Sequence, residues 1–419
     1  MTMPSITSVC IALIARKTRA RALNEPPISS YWIPLVGHAL SYRKWTKELF
    51  HSTRTLSGSD ARPVSLVLFG QRVYVVTASR DISAVFCSKN LLVGPVVLHG
   101  VGTLFNVSKE SLDRIARIPD GRNSSLIDDI HPFYFDVLKE GPALNEVITS
   151  FLHCLGAELA KEDAKIHASS RGVEVQLQDW MRTILGNSST VFMMGSHILE
   201  EEPNLLAHFH QFTLDLLTFG MGLPRCLSRK KYENRDRLIG AFIRVYQDRE
   251  IKQQDAIWWV TALQKKLVEA GVTCDYDIGA SMCSSWFGLQ ANVNPASFWL
   301  LLQAVTIPGL ADRIRKSIAP AFNSRGEVVH LEFLVGDPLL RSTFYETLRL
   351  FALSIPLRLV MEDTIISGFT FRKGGIVMCP VRPVHGDTDI WGPDAAEFVP
   401  ERFIREPVGG LLRGDTKNL

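Results

Sequence analysis

The residues best suited to do work as a set are Glu346, Arg349 and Arg402. Glu346 and Arg349 stand three apart in a segment of helical spacing, Pro338 to Phe351, so they share a face and can pair. An exposed pair of this kind is commonplace and stabilises by only a few tenths of a kcal/mol, on the order of 0.3. The segment Phe398-Val-Pro-Glu-Arg402-Phe403, preceded by Trp391-Gly-Pro-Asp, changes that value. A buried glutamate–arginine pair can accept a second arginine from a loop, and such a network is costly to break because the break strands a buried charge. The work expected of this trio is to pin an irregular loop against a helix.

A second constellation is made of amides. Ala291-Asn292-Val-Asn294-Pro295-Ala-Ser297 lies in the middle of the longest apolar stretch, Ile278 to Val305. An amide donates and accepts hydrogen bonds but releases no proton near neutral pH, and proline has no hydroxyl. Asn292 and Asn294 are therefore candidates for contact with a substrate; alternatively, they satisfy backbone groups freed by Pro295. The third set is the seven cysteines, Cys10, Cys87, Cys154, Cys226, Cys274, Cys283 and Cys379. Their odd number and wide spacing argue against a disulfide framework, and with no CxxC pair a structural zinc site is not expected. They read as buried thiols in a reducing compartment.

The elements that must carry these residues follow from pattern. Pro63 to Ser79 alternates, with Gly70-Gln71 interrupting it, and predicts a β-hairpin. A helical pattern starts at Asp81, followed by a loop-rich stretch to about Gly141. Helical spacing then returns over Asn145 to Lys161, Val175 to Met194, Asn204 to Gly220 and Lys231 to Arg249. Ile278 to Val305 is long enough to be mistaken for a membrane span, but Gln290, Asn292, Asn294 and Pro295 stand at its centre. It predicts a long helix through a globular body, opened locally at Pro295. Leu357 to Val377 predicts short strands with a turn at Gly374-Gly375. The fold class is mainly α with a small β part.

Of the 419 residues, 46% are apolar and 21% charged, with a net charge of +3. That supports a large core and is too mild a charge for nucleic acid, and no basic run interleaved with aromatics appears. Residues 1–24 hold a short apolar run, Val9 to Ala15, and a basic cluster, which read either as a frayed tail or as a short membrane anchor with its linker. Residues 25–419 read as one domain. The three Asn-x-Ser sequons, at Asn106, Asn123 and Asn187, read as chance occurrences.

Taken together and in this order, the motifs resemble those of the cytochrome P-450 superfamily, from about residue 25 onward. Glu346 and Arg349 match the ExxR of its K helix, and Arg402 matches the arginine that completes the triad. Arg358 matches the basic residue that faces a heme propionate; His385-Gly-Asp387 matches the approach to the meander, so both Arg358 and His385 are expected on the cofactor side. Pro26-Pro27 and Trp32-Ile-Pro34 look like the proline hinge. Asn294 and Pro295 stand where most of the family has an acid and an alcohol. This pattern is similar to the branch of sterol 7α- and 12α-hydroxylases and prostacyclin synthase.

The resemblance implies a heme-dependent monooxygenase oxidising a lipophilic substrate such as a sterol, terpenoid or other secondary metabolite. It also implies an NADPH-cytochrome reductase as partner and association with the cytoplasmic face of the endoplasmic reticulum membrane. It further implies an axial cysteine in an FxxGxxxCxG loop after Arg402, followed by a last helix. Ile404 to Leu419 contains no cysteine, so the sequence is expected to stop before that loop, and no metal ligand is assigned. Phe219 to Cys226 fits FxxGxxxC by count but precedes both key helices, and the tryptophan–arginine pair usual on the C helix is not visible. The alternatives to oxygenation are an inactive P-450-like polypeptide and a reductase-independent isomerase of an oxygenated lipid.

Overall fold

The computed structural model describes residues 24–29, 37–38, 62–68, 71–116, 139, 141–220, 222–247 and 258–405. The N-terminal segment before Asn24, read as a tail or an anchor, the residues Trp32 and Pro34 of the expected proline hinge, and Asn123 lie outside the described residues. The principal elements, in chain order, are β1 (Val64–Leu68), β2 (Gln71–Val75), α1 (Ser79–Cys87), β3 (Leu91–Leu92), α2 (Gly94–Phe105), α3 (Lys109–Ala116), α4 (Pro142–Ala168), α5 (Leu177–Met194), α6 (Leu205–Gly220), α7 (Arg229–Gln247), α8 (Trp258–Glu269), α9 (Asp275–Thr306), α10 (Leu310–Ile318), α11 (Pro338–Phe351), β4 (Leu357–Val360), β5 (Thr364–Ile366), β6 (Phe369–Phe371) and β7 (Ile376–Met378). Short helical turns fill several connections, among them Arg382–His385, Thr388–Trp391 and Arg402–Arg405. The class is mainly helical with two small sheets, as the sequence predicts.

The chain divides into two compact units, one made of the residues to Val96 plus those from Gln303 onward, the other Val97–Leu302. The first unit holds the sheets. β1 and β2 form the predicted antiparallel hairpin, pairing Val64 with Val75 and Leu68 with Gln71. β2 then runs parallel to β7, which is antiparallel to β4, and β3 closes the edge. Tyr74 stacks on Phe371 at 4.7 Å, and Val76, Val85, Val377 and Cys379 pack beneath them. These strands exist because alternate residues are β-branched or aromatic and find a half-buried face.

The second unit is a helical body around one aromatic core. Trp286, fully buried on α9, meets Phe209 of α6 at 5.0 Å and Phe242 of α7 at 5.2 Å. Asp277, in the first turn of α9, accepts hydrogen bonds from Ser108 N at 3.0 Å and from the Ser108 and Ser111 hydroxyls at 2.6 Å each. That buried carboxylate ties the start of α3 to the start of α9 and satisfies the Ser108 N–H at the start of α3.

Two expectations are corrected. The stretch expected to be loop-rich contains α2 and α3. Gly94, Pro95, Gly100 and Gly102 suggest a loop locally, but Leu98, Val101, Leu104 and Phe105 bury against the aromatic core, and tertiary packing overrides weak propensity. The opening at Pro295 is also absent: α9 is continuous from Asp275 to Thr306. One missing N–H removes one ladder bond, and the surrounding turns keep the axis.

Candidate functional site

The Glu346–Arg349 pair lies on α11 and is almost wholly removed from solvent, at 0% and 2% exposure. Asp337 caps the helix start by accepting from Leu340 N at 2.7 Å, and Pro338 at the first position suits the fixed φ of the first turn. Arg349 grips Glu346 as a fork, Nε to Oε2 and Nη2 to Oε1, both at 2.7 Å. Its remaining N–H groups go to the carbonyl oxygens of His385 at 2.8 Å, Ala395 at 2.6 Å and Glu397 at 3.0 Å. Every donor of the guanidinium is thereby used.

Arg402 joins from the loop side. Its Nε donates to Glu346 Oε1 at 3.0 Å, and its other nitrogens reach Trp391 O, Asp394 Oδ1 and Asp394 O. Val399 N donates to the same Glu346 oxygen at 3.0 Å. Two carboxylates and two guanidinium groups balance, and the Arg402 hydrogen bond holds Asp394 below the usual carboxylate range. The Trp391 ring lies under Arg349 with the guanidinium carbon 5.0 Å from its centroid. The three residues that the spacing suggested are thus one network that fixes the backbone from His385 to Arg402 against α11.

Arg358 sits on β4, half-buried, with Nη1 on Leu357 O at 2.9 Å and its guanidinium carbon 4.4 Å above the Phe86 ring. Burial pulls its pKa down, against the effect of nearby Cys379. Among the described residues no carboxylate pairs with it. His385 has its Nδ1 buried without a partner among the described residues, and burial holds its imidazole below the ordinary value. A cation with no carboxylate and a buried ring nitrogen with no partner fit the acidic edge of a heme.

The iron's axial ligand does not fit. A thiolate needs an electropositive, partly exposed setting. Burial pushes Cys379 up to about 12 and Cys283 well above its ordinary value. Cys226 is exposed on a turn between α6 and α7. The reading of all the thiols as buried is corrected: Cys87, Cys226 and Cys274 are exposed. Among the described residues no cluster of three or more metal-binding side chains exists.

The amides of α9 are separated by the structure. Asn292 is exposed, and its Nδ2 donates to Gly288 O at 2.7 Å. Asn294 Nδ2 donates to Gln290 Oε1 at 2.7 Å. Neither bond goes to the Ala291 carbonyl that Pro295 frees. Asn294 lines a cavity of about 410 Å³ between α5, α6 and α9, walled by Met181, Phe209, Leu216, Phe287, Phe298 and Trp299, with Gln290, Arg182 and His210 as further polar members. Close packing of α5 on α6 frames it: a Cβ at Gly186 would stand 2.7 Å from Leu206 Cδ1. Sequence reasoning missed Gln290, whose one visible signal was an amide at helical spacing from Asn294.

The cytochrome P450 family profile matches residues 26–411. A cytochrome P450 monooxygenase, poxD, of Penicillium oxalicum is 26% identical over 401 residues, which is 92% of this chain and 79% of that protein. The monooxygenase nodJ of Hypoxylon pulicicidum is 23% identical, covering 96% of this chain and 78% of its own length. Rabbit (Oryctolagus cuniculus) cytochrome P450 7A1 is 22% identical, covering 95% and 80%. Among solved structures, the retinoic acid-bound cyanobacterial CYP120A1 superposes with a TM-score of 0.68 at 16% identity, over 92% of this chain and 83% of that one.

Proposed function

Because the chain belongs to the cytochrome P450 family, we propose that it serves the oxidation of a lipophilic secondary metabolite of fused-ring shape, a sterol or terpenoid. The observation that carries this is the aromatic-walled cavity against α9, with the amides of Gln178, Gln290 and Asn294 among its polar members. Family membership implies heme, which when bound supplies the oxidising centre, and a reductase that delivers electrons from NADPH. Arg358 and His385 are the residues of this chain that suit the heme carboxylates. The Glu346–Arg349–Arg402 network holds the loop from His385 onward in place.

Among the described residues no helix is long and apolar enough to cross a membrane. The test is to incubate the protein with heme, reductase, NADPH and a panel of polycyclic terpenoids and sterols. Products one oxygen heavier support the reading. Turnover of a lipid hydroperoxide without NADPH, and no oxygenated product, replaces it with isomerisation.

A second reading is favoured by the setting of the thiols: Cys283 and Cys379 are buried, and Cys226 is exposed on a turn between α6 and α7. On it, the 419-residue chain binds a lipophilic molecule without oxidising it. The carbon-monoxide difference spectrum of the reduced, heme-supplemented chain separates the two. A red-shifted thiolate Soret band supports the monooxygenase; its absence, together with ligand binding, supports the binder.

A further inference from the structure

We draw no further inference here: the strongest candidate, the polar cleft of about 380 Å³ between the starts of α3 and α9 that holds Arg114, Cys274 and Asp277, carries nothing, because Asp277 is met by Ser108 and Ser111 and Arg114 by Glu110, which leaves a helix start and a lone exposed thiol, and nothing among the described residues shows what occupies it.

Discussion

The two polar networks of the molecule differ in how completely they are paired. Around Arg349 every guanidinium donor is used, and both Glu346 oxygens are taken by donors. Along α9 the chain of amides from Thr190 through Gln290 to Asn294 ends on an acceptor with nothing to meet it among the described residues. A saturated network resists change and holds backbone in place. An unsaturated one carries an unmet cost that a ligand can remove. The first fixes a loop and the second leaves one acceptor unmet among the described residues, although the sequence presents both simply as polar residues on helices.

The largest effect is expected from breaking the saturated network. Arg349→Leu leaves Glu346 buried with its charge only partly met by Arg402, and it strands three loop carbonyls. A loss of about 3–5 kcal/mol in urea unfolding is the expected outcome. A loss under about 1 kcal/mol would mean that the network is far more solvated than its burial implies, and the contrast would collapse.

The amide chain predicts a smaller and asymmetric response. Gln290→Leu removes the donor shared by three acceptors on α5 and the partner of Asn294, and is expected to cost about 1–3 kcal/mol. Asn294→Leu removes an unpaired acceptor but also the single donor that meets Gln290 Oε1. It is expected to cost less than Gln290→Leu, about 1 kcal/mol. Thermal melts of the two variants side by side check this. Equal losses would show that Asn294 Oδ1 is paired in solution.

His385 sharpens the comparison at the edge of the saturated network. Burial, with the charges of Arg349 and Arg382 nearby, holds its pKa below the ordinary 6.5. Above that pH the imidazole is neutral in both folded and unfolded chains. Below it the unfolded chain takes up a proton that the folded chain does not, until the lower folded pKa is reached. Stability is therefore lost as pH falls through about 6.5. His385→Gln is expected to flatten that part of the pH profile relative to the parent, measured as unfolding midpoints at pH 7.5 and 5.5, roughly one unit either side. An unchanged slope would place the proton-linked loss elsewhere.

Thiol labelling is the smallest test. Cys87, Cys226 and Cys274 are exposed and are expected to react with a thiol reagent in the native protein at mildly alkaline pH. Cys283 and Cys379, buried and with raised pKa, are expected to react only after unfolding. Native labelling of Cys379 would reopen it as a thiolate.

Much of the scaffold was legible in the sequence because local pattern and tertiary need agree there. The hairpin from Val64 to Val75, the long helices α4 to α7 and the strands after Leu357 follow periodicity that packing then rewards. The ExxR spacing and the later arginine were legible as charges that could meet. That they would be fully buried was not, because burial depends on Trp391, Ala395 and the loop around them folding over α11. Helices α2 and α3 were missed because glycine and proline speak for a loop locally, while the aromatic core that pays for helix is assembled from distant residues.

The sequence by itself determined which groups could form ions, which could only donate or accept, and the order in which they occur. It placed an amide four residues before Asn294, within reach on one helical face. It could not say which way either amide would turn, since rotation about the last side-chain bond exchanges donor and acceptor at almost no local cost. Only the packing of α5 against α9 settled that, by setting the Gly186 carbonyl and the Ser189 and Thr190 hydroxyls against Gln290 from about a hundred residues away, where only acceptors remain to be met.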